Sequence, residues 1–115
     1  MIYDIYSLIG ENCMTPNDGQ KIYHKIHPQL VAGRPVELDF SKVKIFASPF
    51  FNFAIGQLLR DIEPNELNCL LKVSNLNLVG QQVLKQVIEN SKRYYSDDQI
   101  REAVDAVMRE QAESV

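Results

Sequence analysis

Apolar and polar residues follow the pattern of β-strands along three stretches of the chain. One stretch is a run of β-branched and aromatic residues, and another alternates apolar and polar positions with a period of two. Within the alternating stretch, Val36, Leu38 and Phe40 are the positions expected to face a core. The pattern predicts strands over residues 2–9, 35–41 and 68–74.

Helical spacing of apolar residues follows the first strand. Thr15-Pro16 combines a capping hydroxyl with proline, a typical start of a helix. Ile22, Ile26 and Leu30 recur every four residues and predict its buried side. Pro28 lacks a backbone N–H, so we expect a kink or a break at this position.

Further helices are predicted after the second and third strands. Ser48-Pro49 repeats the proline start signal, and the residues that follow are apolar on nearly every face, which indicates a mostly buried helix. A third amphipathic helix begins at Leu78, after a turn that contains Asn75 and Asn77. A last helix over residues 97–113 is predicted from a capping box and from four apolar residues on one side, namely Ile100, Val104, Val107 and Met108.

The order β-α-β-α-β-α with one extra C-terminal helix predicts an α/β layered fold. Such alternation favours a small, mostly parallel sheet covered by helices, with room for one more edge strand. We expect residues 1–95 to form the α/β domain. We expect residues 96–115 to add a C-terminal helix that either packs on this domain or serves as an interaction arm.

Composition narrows the classes of function. The chain has 115 residues, a net charge of −3 and no basic run, so nucleic-acid binding is not expected. Cys13 and Cys69 show no metal or redox spacing, and His24 and His27 lack further ligands, so we expect a reducing compartment and neither a metal nor a cofactor. No apolar run reaches the roughly 18–20 residues of a membrane span. We therefore expect a cytoplasmic protein without membrane contact.

The segment from Gly33 to Leu59 resembles the STAS-like family of uncharacterised bacterial domains, which are related to anti-sigma-factor antagonists. The family pattern is a strand ending in Val-x-Leu-Asp-Phe-Ser, a short apolar stretch, and Ser with Phe before a helix. The matching residues are Val36, Leu38, Asp39, Phe40, Ser41, Val43, Ser48 and Phe50. The resemblance implies a STAS-like fold and a regulatory signalling domain without catalytic activity.

In the better-known STAS antagonists, an Asp-Ser pair opens the second helix, and a partner serine kinase phosphorylates the serine. The resemblance places Ser48 at the serine position and Ala47 at the aspartate position, and Pro49 replaces a residue that is usually small. It implies a serine-kinase-type ATPase as the partner and Ser48 as a phosphorylation or contact residue. Alternatively, Ser48 only caps its helix.

A partner is expected at the edge of the sheet where strands end and helices begin, by analogy with other parallel α/β folds. The candidates for this partner face are Asn12, Thr15, Phe50, Phe51, Asn75 and Asn77. An alternative function is a structural module that forms a homodimer, without a switch. A catalytic or small-molecule site at the same edge is a third alternative, for which the sequence offers no recognisable motif.

Overall fold

The computed structural model describes residues 1–96, which contain five strands and five α-helices. In chain order the elements are β1 (Ile2–Asp4), α1 (Ile5–Ile9), β2 (Asn12–Cys13), α2 (Pro16–Val31), β3 (Val36–Asp39), β4 (Ile45–Phe46), α3 (Ser48–Ala54), a 3-10 helix (Gly56–Arg60), α4 (Pro64–Leu70), β5 (Leu71–Ser74) and α5 (Leu78–Ser96).

The main sheet has three parallel strands in the order β1-β3-β5, so β3 is central. Asp4, Asp39 and Ser74 pair across it and mark the carboxyl end of each strand. The positions that alternate with them on β3, Val36 and Leu38, are buried in the core. The predicted α/β class, the small parallel sheet and the core side of the second strand are confirmed.

A second, separate pair of strands, β2 and β4, follows β1 and β3 along the chain. β2 and β4 are parallel, with Cys13 beside Phe46. The ladder begins one residue earlier, where the Glu11 carbonyl accepts a hydrogen bond of 2.8 Å from the Lys44 amide. Strands of two residues are too short to show an alternating pattern, so the sequence does not predict this ladder.

The helices pack most closely where α2 meets α3. The predicted stripe of Ile22, Ile26 and Leu30 is at most 2% exposed and is confirmed as core. Gly19 lies in the same interface. A Cβ atom at Gly19 would collide with the carbonyl oxygen of Phe50 and lie 3.0 Å from the Cβ of Phe53. The two backbones therefore approach to a distance that leaves no space for a side chain.

The first predicted strand is too long, because residues 5–9 form α1. Asp4 caps this turn: its carboxylate accepts hydrogen bonds from the Ser7 amide at 3.4 Å and the Ser7 hydroxyl at 2.9 Å. The helix ends at Gly10, whose φ of 108° favours glycine. Local capping thus outweighs the strand preference of the β-branched and aromatic residues.

The third predicted strand begins too early, because residues 68–70 belong to α4 and only residues 71–74 form β5. Pro64 opens α4 and Glu66 lies in its first turn, where a carboxylate favours a helix. The helix predicted after Ser48 is likewise divided, into α3 and the 3-10 helix, around Ile55.

Pro28 does not break α2, which continues to Val31, so the prediction of a break is wrong. The exposed proline lies in the last turn of the helix, where the missing N–H removes only one late hydrogen bond. The last predicted helix, residues 97–113, lies outside the described residues. The prediction that it packs on the domain or serves as an interaction arm therefore also concerns residues outside that part of the chain. No helix within residues 1–96 is long and apolar enough to cross a membrane.

We predict that Gly19→Ala lowers the free energy of unfolding by about 1–3 kcal/mol, the usual range for overpacking. The clash with the Phe50 carbonyl should outweigh the higher helix propensity of alanine. Urea denaturation measures this difference. Asn17→Ala, at an exposed position of the same helix, serves as the control and should stay within about 0.5 kcal/mol of wild type. Equal stability of the two variants would contradict the close contact.

Candidate functional site

The β2–β4 ladder places the starts of α2 and α3 side by side. Cys13 pairs with Phe46, and the Ala47 amide donates a hydrogen bond of 3.0 Å to the Cys13 carbonyl. Thr15 and Ser48 each follow two residues after this pair. The ladder therefore holds the two helix starts in a fixed register.

The start of α5 lies beside the same ladder. Asn77 caps α5, since its Oδ1 accepts a hydrogen bond of 2.8 Å from the Gly80 amide. A Cβ atom at Gly80 would lie 3.1 Å from the ring of Phe46 in β4. Three helix starts thus meet at one surface, the helix-start edge, whose exposed residues are Asn12, Met14, Thr15, Ile45, Ser48, Leu78 and Val79.

The two proline-containing helix starts are capped differently. Thr15 is the N-cap of α2, and its hydroxyl accepts a hydrogen bond of 3.1 Å from the Asp18 amide. The N-cap of α3 is Ala47, and no side chain caps this helix. Ser48 is already the first helical residue, and its side chain is exposed. The alternative in which Ser48 caps α3 is therefore wrong.

The backbone at the start of α3 is less open to an anion than a free helix end. The Phe50 amide donates a hydrogen bond of 3.1 Å to the Ala47 carbonyl, and Pro49 has no N–H. α3 is also only seven residues long, and a short helix sums few peptide dipoles. A group attached to Ser48 would consequently extend into solvent or toward a partner.

Two of the predicted partner-face residues lie beneath this surface and do not belong to it. Phe50 and Phe51 are both 0% exposed. Phe51 stacks on Phe46, with ring centroids 5.7 Å apart, and lies 5.9 Å from the ring of Phe40. Because both rings are buried in the core beneath the edge, they are not available for direct contact with a partner.

Asn75 lies at the carboxyl ends of the main strands and has a structural role there. Its backbone is left-handed, with φ of 57°, and its amide group donates a hydrogen bond of 3.0 Å to Asp39. The same Asp39 oxygen accepts hydrogen bonds from the hydroxyl (2.6 Å) and the amide (2.9 Å) of Ser41. The Ser41 hydroxyl, followed by Asn75, lowers the pKa of Asp39. Of the predicted polar candidates, Asn12, Thr15 and Ser48 lie together, while Asn75 and Asn77 hold turns.

The groups near the edge offer little for catalysis. Cys13 is fully buried, and burial followed by the charge of Asp18 raises the pKa of its thiol to about 12. The thiol is therefore protonated at neutral pH and cannot act as a thiolate nucleophile. Within residues 1–96 no three His, Cys, Asp or Glu side chains are grouped to hold a metal ion.

Sequence reasoning missed the apolar character of this surface. Leu78 and Val79 continue the apolar stripe of α5 in the sequence, but they are 69% and 61% exposed. They precede Gly80, at which α5 first meets β4. Met14 and Ile45 are also exposed, and each follows or begins a strand of only two residues.

Comparison with known protein families gives a match over more than half of the chain. The family model of the STAS-like domain of unknown function (DUF4325) matches residues 18–90. The chain belongs to this family, and the resemblance found in residues 33–59 is confirmed. No curated protein and no solved structure matches the chain.

We predict that Thr15→Ala costs about 1 kcal/mol of stability, whereas Ser48→Ala stays within about 0.5 kcal/mol of wild type. Only the Thr15 hydroxyl accepts a capping hydrogen bond. Each alanine removes one hydroxyl beside a proline, so the two variants control for each other in thermal and urea unfolding. A loss at Ser48 as large as that at Thr15 would contradict the assigned cap.

We also predict that Asp39→Asn lowers the melting temperature at pH 7 and that this difference shrinks as the pH falls below about 4. A carboxylate whose pKa is lower in the folded state stabilises the fold above its unfolded pKa. This contribution is lost as the pH falls through the folded value. Melting curves from pH 3 to 7 test it, with Glu63→Gln as the control at an exposed carboxylate that accepts no capping hydrogen bond. The same pH trend in both variants would contradict the role of Asp39.

Proposed function

We propose that this STAS-like domain is a non-catalytic regulatory module that binds a protein partner through the helix-start edge. STAS-like domains commonly bind protein partners and are generally non-catalytic. The observation that carries the proposal is the exposed side chain of Ser48, which caps no helix and opens α3 two residues after the β2–β4 pair.

The composition of the edge supports protein binding. Four large apolar side chains, Met14, Ile45, Leu78 and Val79, are between 46% and 69% exposed around the three helix starts. Single exposed apolar residues are normal on a protein surface, whereas a cluster rimmed by polar groups is typical of an interaction site. Asn12 and Ser48 supply such polar groups. Burial of this cluster on binding would contribute the main favourable free energy.

We further propose that Ser48 is the switch in this interaction and that the partner is a serine-kinase-type ATPase. The kinase would transfer the γ-phosphoryl group of ATP to Ser48 Oγ, with loss of the hydroxyl proton and release of ADP. The product carries about −1.5 to −2 charges at pH 7. The Ser48 side chain is exposed and holds no helix cap, so its modification would leave α3 intact.

The surroundings of Ser48 favour release over attraction as the effect of the phosphate. The edge carries four exposed apolar side chains, and the Phe50 amide, two residues after Ser48, is already engaged. A dianion in such an interface must be desolvated, and neither Pro49, which has no N–H, nor the Phe50 amide offers it a hydrogen bond. The switch therefore works by weakening the complex. This mechanism does not need the aspartate of the better-known antagonists, whose position is taken here by Ala47.

We predict that Ser48→Glu reduces capture of the ATPase partner from native cell extract at least tenfold, while Ser48→Ala retains it. Glutamate adds a charge to the edge, whereas alanine removes only a hydroxyl that caps no helix. Quantitative mass spectrometry of immobilised full-length variants measures capture, and phosphopeptide mapping measures modification of Ser48. Asn90→Glu adds the same charge at an exposed position of α5 and should bind like wild type.

Equal capture by Ser48→Glu and wild type would remove Ser48 from the interface. Recovery of only the protein itself, together with a dimeric mass in light scattering, would instead favour the alternative of a structural homodimer. In that case Ser48→Glu should leave the dimer unchanged, because the switch would not exist.

A further inference from the structure

The three segments that build the helix-start edge contain no charged residue. They are residues 12–17, 45–59 and 73–84, whereas charged residues make up 23% of the whole chain. All the exposed residues of the edge belong to these segments. The edge is therefore a neutral surface that combines apolar side chains with hydroxyl and amide groups.

The charged residues that adjoin the two strands of the ladder are engaged within the chain. Glu11 and Lys44, which precede β2 and β4, form an ion pair with 3.8 Å between Oε2 and Nζ. Asp18, in the first turn of α2, has its Oδ1 3.5 Å from the Nζ of Lys21. Lys42 lies over an aromatic ring of α1, 5.7 Å from the ring centroid. Because the two ion pairs each combine opposite signs, their fields largely cancel at the edge.

The charges at the other ends of these segments are distant from the edge or paired. Lys85 lies about 10 Å along α5 from its start, at a rise of 1.5 Å per residue. Arg60 is hydrogen-bonded to Tyr95, in the last turn of α5. Lys72 on β5 pairs with Glu37 on β3, with 3.6 Å between Nζ and Oε1.

The two most exposed apolar side chains of the edge, Leu78 and Val79, belong to a firmly held turn. Asn77 Oδ1 accepts a hydrogen bond of 2.8 Å from the Gly80 amide, and Gly80 packs against β4 without space for a side chain. Gln81 Nε2 donates a hydrogen bond of 2.8 Å to the carbonyl that precedes Asn77. The turn is thus ordered before any partner arrives, which lowers the entropic cost of binding.

We propose that the partner covers the helix-start edge with an apolar surface that carries no charge opposite Leu78 and Val79. This inference rests on the proposed function and names the chemistry of the partner's contact surface. A charge at that place on the partner would lose its hydration without gaining an opposite charge, so a charged surface is disfavoured. The same neutrality explains why a phosphate on Ser48 is an effective switch, since it is the first charge within these segments.

Two variants of opposite charge at Leu78 test this chemistry. Full-length Leu78→Lys and Leu78→Glu are titrated with the purified ATPase that the wild-type protein captures. Both should weaken binding at least tenfold, because either sign is buried without a counterpart. Asn90→Lys and Asn90→Glu, about 18 Å further along α5, should bind within about twofold of wild type. Circular dichroism confirms that all four variants are folded.

A charged partner surface would instead give the two signs opposite effects. Tighter binding by either Leu78 variant, or at least a tenfold difference between the two, overturns the proposal. Wild-type affinity in both variants also overturns it, because Leu78 would then lie outside the contact.

The salt dependence of the same binding reaction is an independent measurement. The Kd should change less than about threefold between roughly 50 and 500 mM NaCl, since a neutral contact has no charge pairs to screen. A rise of at least tenfold in Kd over this range contradicts the neutral surface.

These results separate the inference from the proposed function. If Ser48→Glu releases the ATPase but the two Leu78 variants differ in sign, the proposed function stands and the neutral partner surface is wrong. If the wild-type protein captures no ATPase, or only a second copy of itself, both are overturned.

Discussion

The contact between α2 and α3 at Gly19 sets the geometry on which the rest of the molecule depends. Because no side chain separates the helix from the Phe50 carbonyl, α2 and α3 lie closer than helices with ordinary side chains at their contact. Phe51 of α3 is fully buried, with its ring centroid 5.9 Å from that of Phe40, the residue that follows β3. The β2–β4 ladder holds the starts of α2 and α3 in register, and the contact at Gly19 holds the two helices together one turn further on. Core packing and the candidate site therefore share this helix pair.

The polar residues of the candidate site differ in whether the fold itself uses their side chains. Thr15 and Asn77 hold helix starts, and Asn75 ties β5 to Asp39, so their polar groups are occupied within the fold. Ser48 has no such task, although it stands at an equivalent position beside a proline. A hydroxyl that the fold does not use is free to be used by a partner or a modifying enzyme. This difference, together with the apolar cluster, distinguishes Ser48 from the other polar residues of the edge.

The sequence could predict the elements whose signals are long or periodic. The stripe of α2 and the alternation in β3 repeat over several turns or residue pairs, and both are confirmed as core. Short elements were missed, since β2 and β4 have two residues each and depend on each other for pairing. The β-type composition predicts strand for α1 and for residues 68–70 of α4, because the opposing helix signals, the Asp4 cap and Pro64 in the first turn, act only locally. Strand order predicts that polar residues such as Thr15 and Ser48 lie at one edge, whereas the burial of Phe50 and the exposure of Leu78 depend on tertiary packing.

The β2–β4 ladder has a consequence for how this surface can change among related proteins. Residues 5–11 lead from β1 to the ladder and residues 40–44 lead from β3, and both paths must arrive in register. A shift of one residue in the pairing of β2 with β4 would turn the side chains of one strand to the opposite face and rotate the following helix start. Substitution of exposed side chains leaves this register intact, so the surface can change in chemistry while the positions of these two helix starts stay fixed.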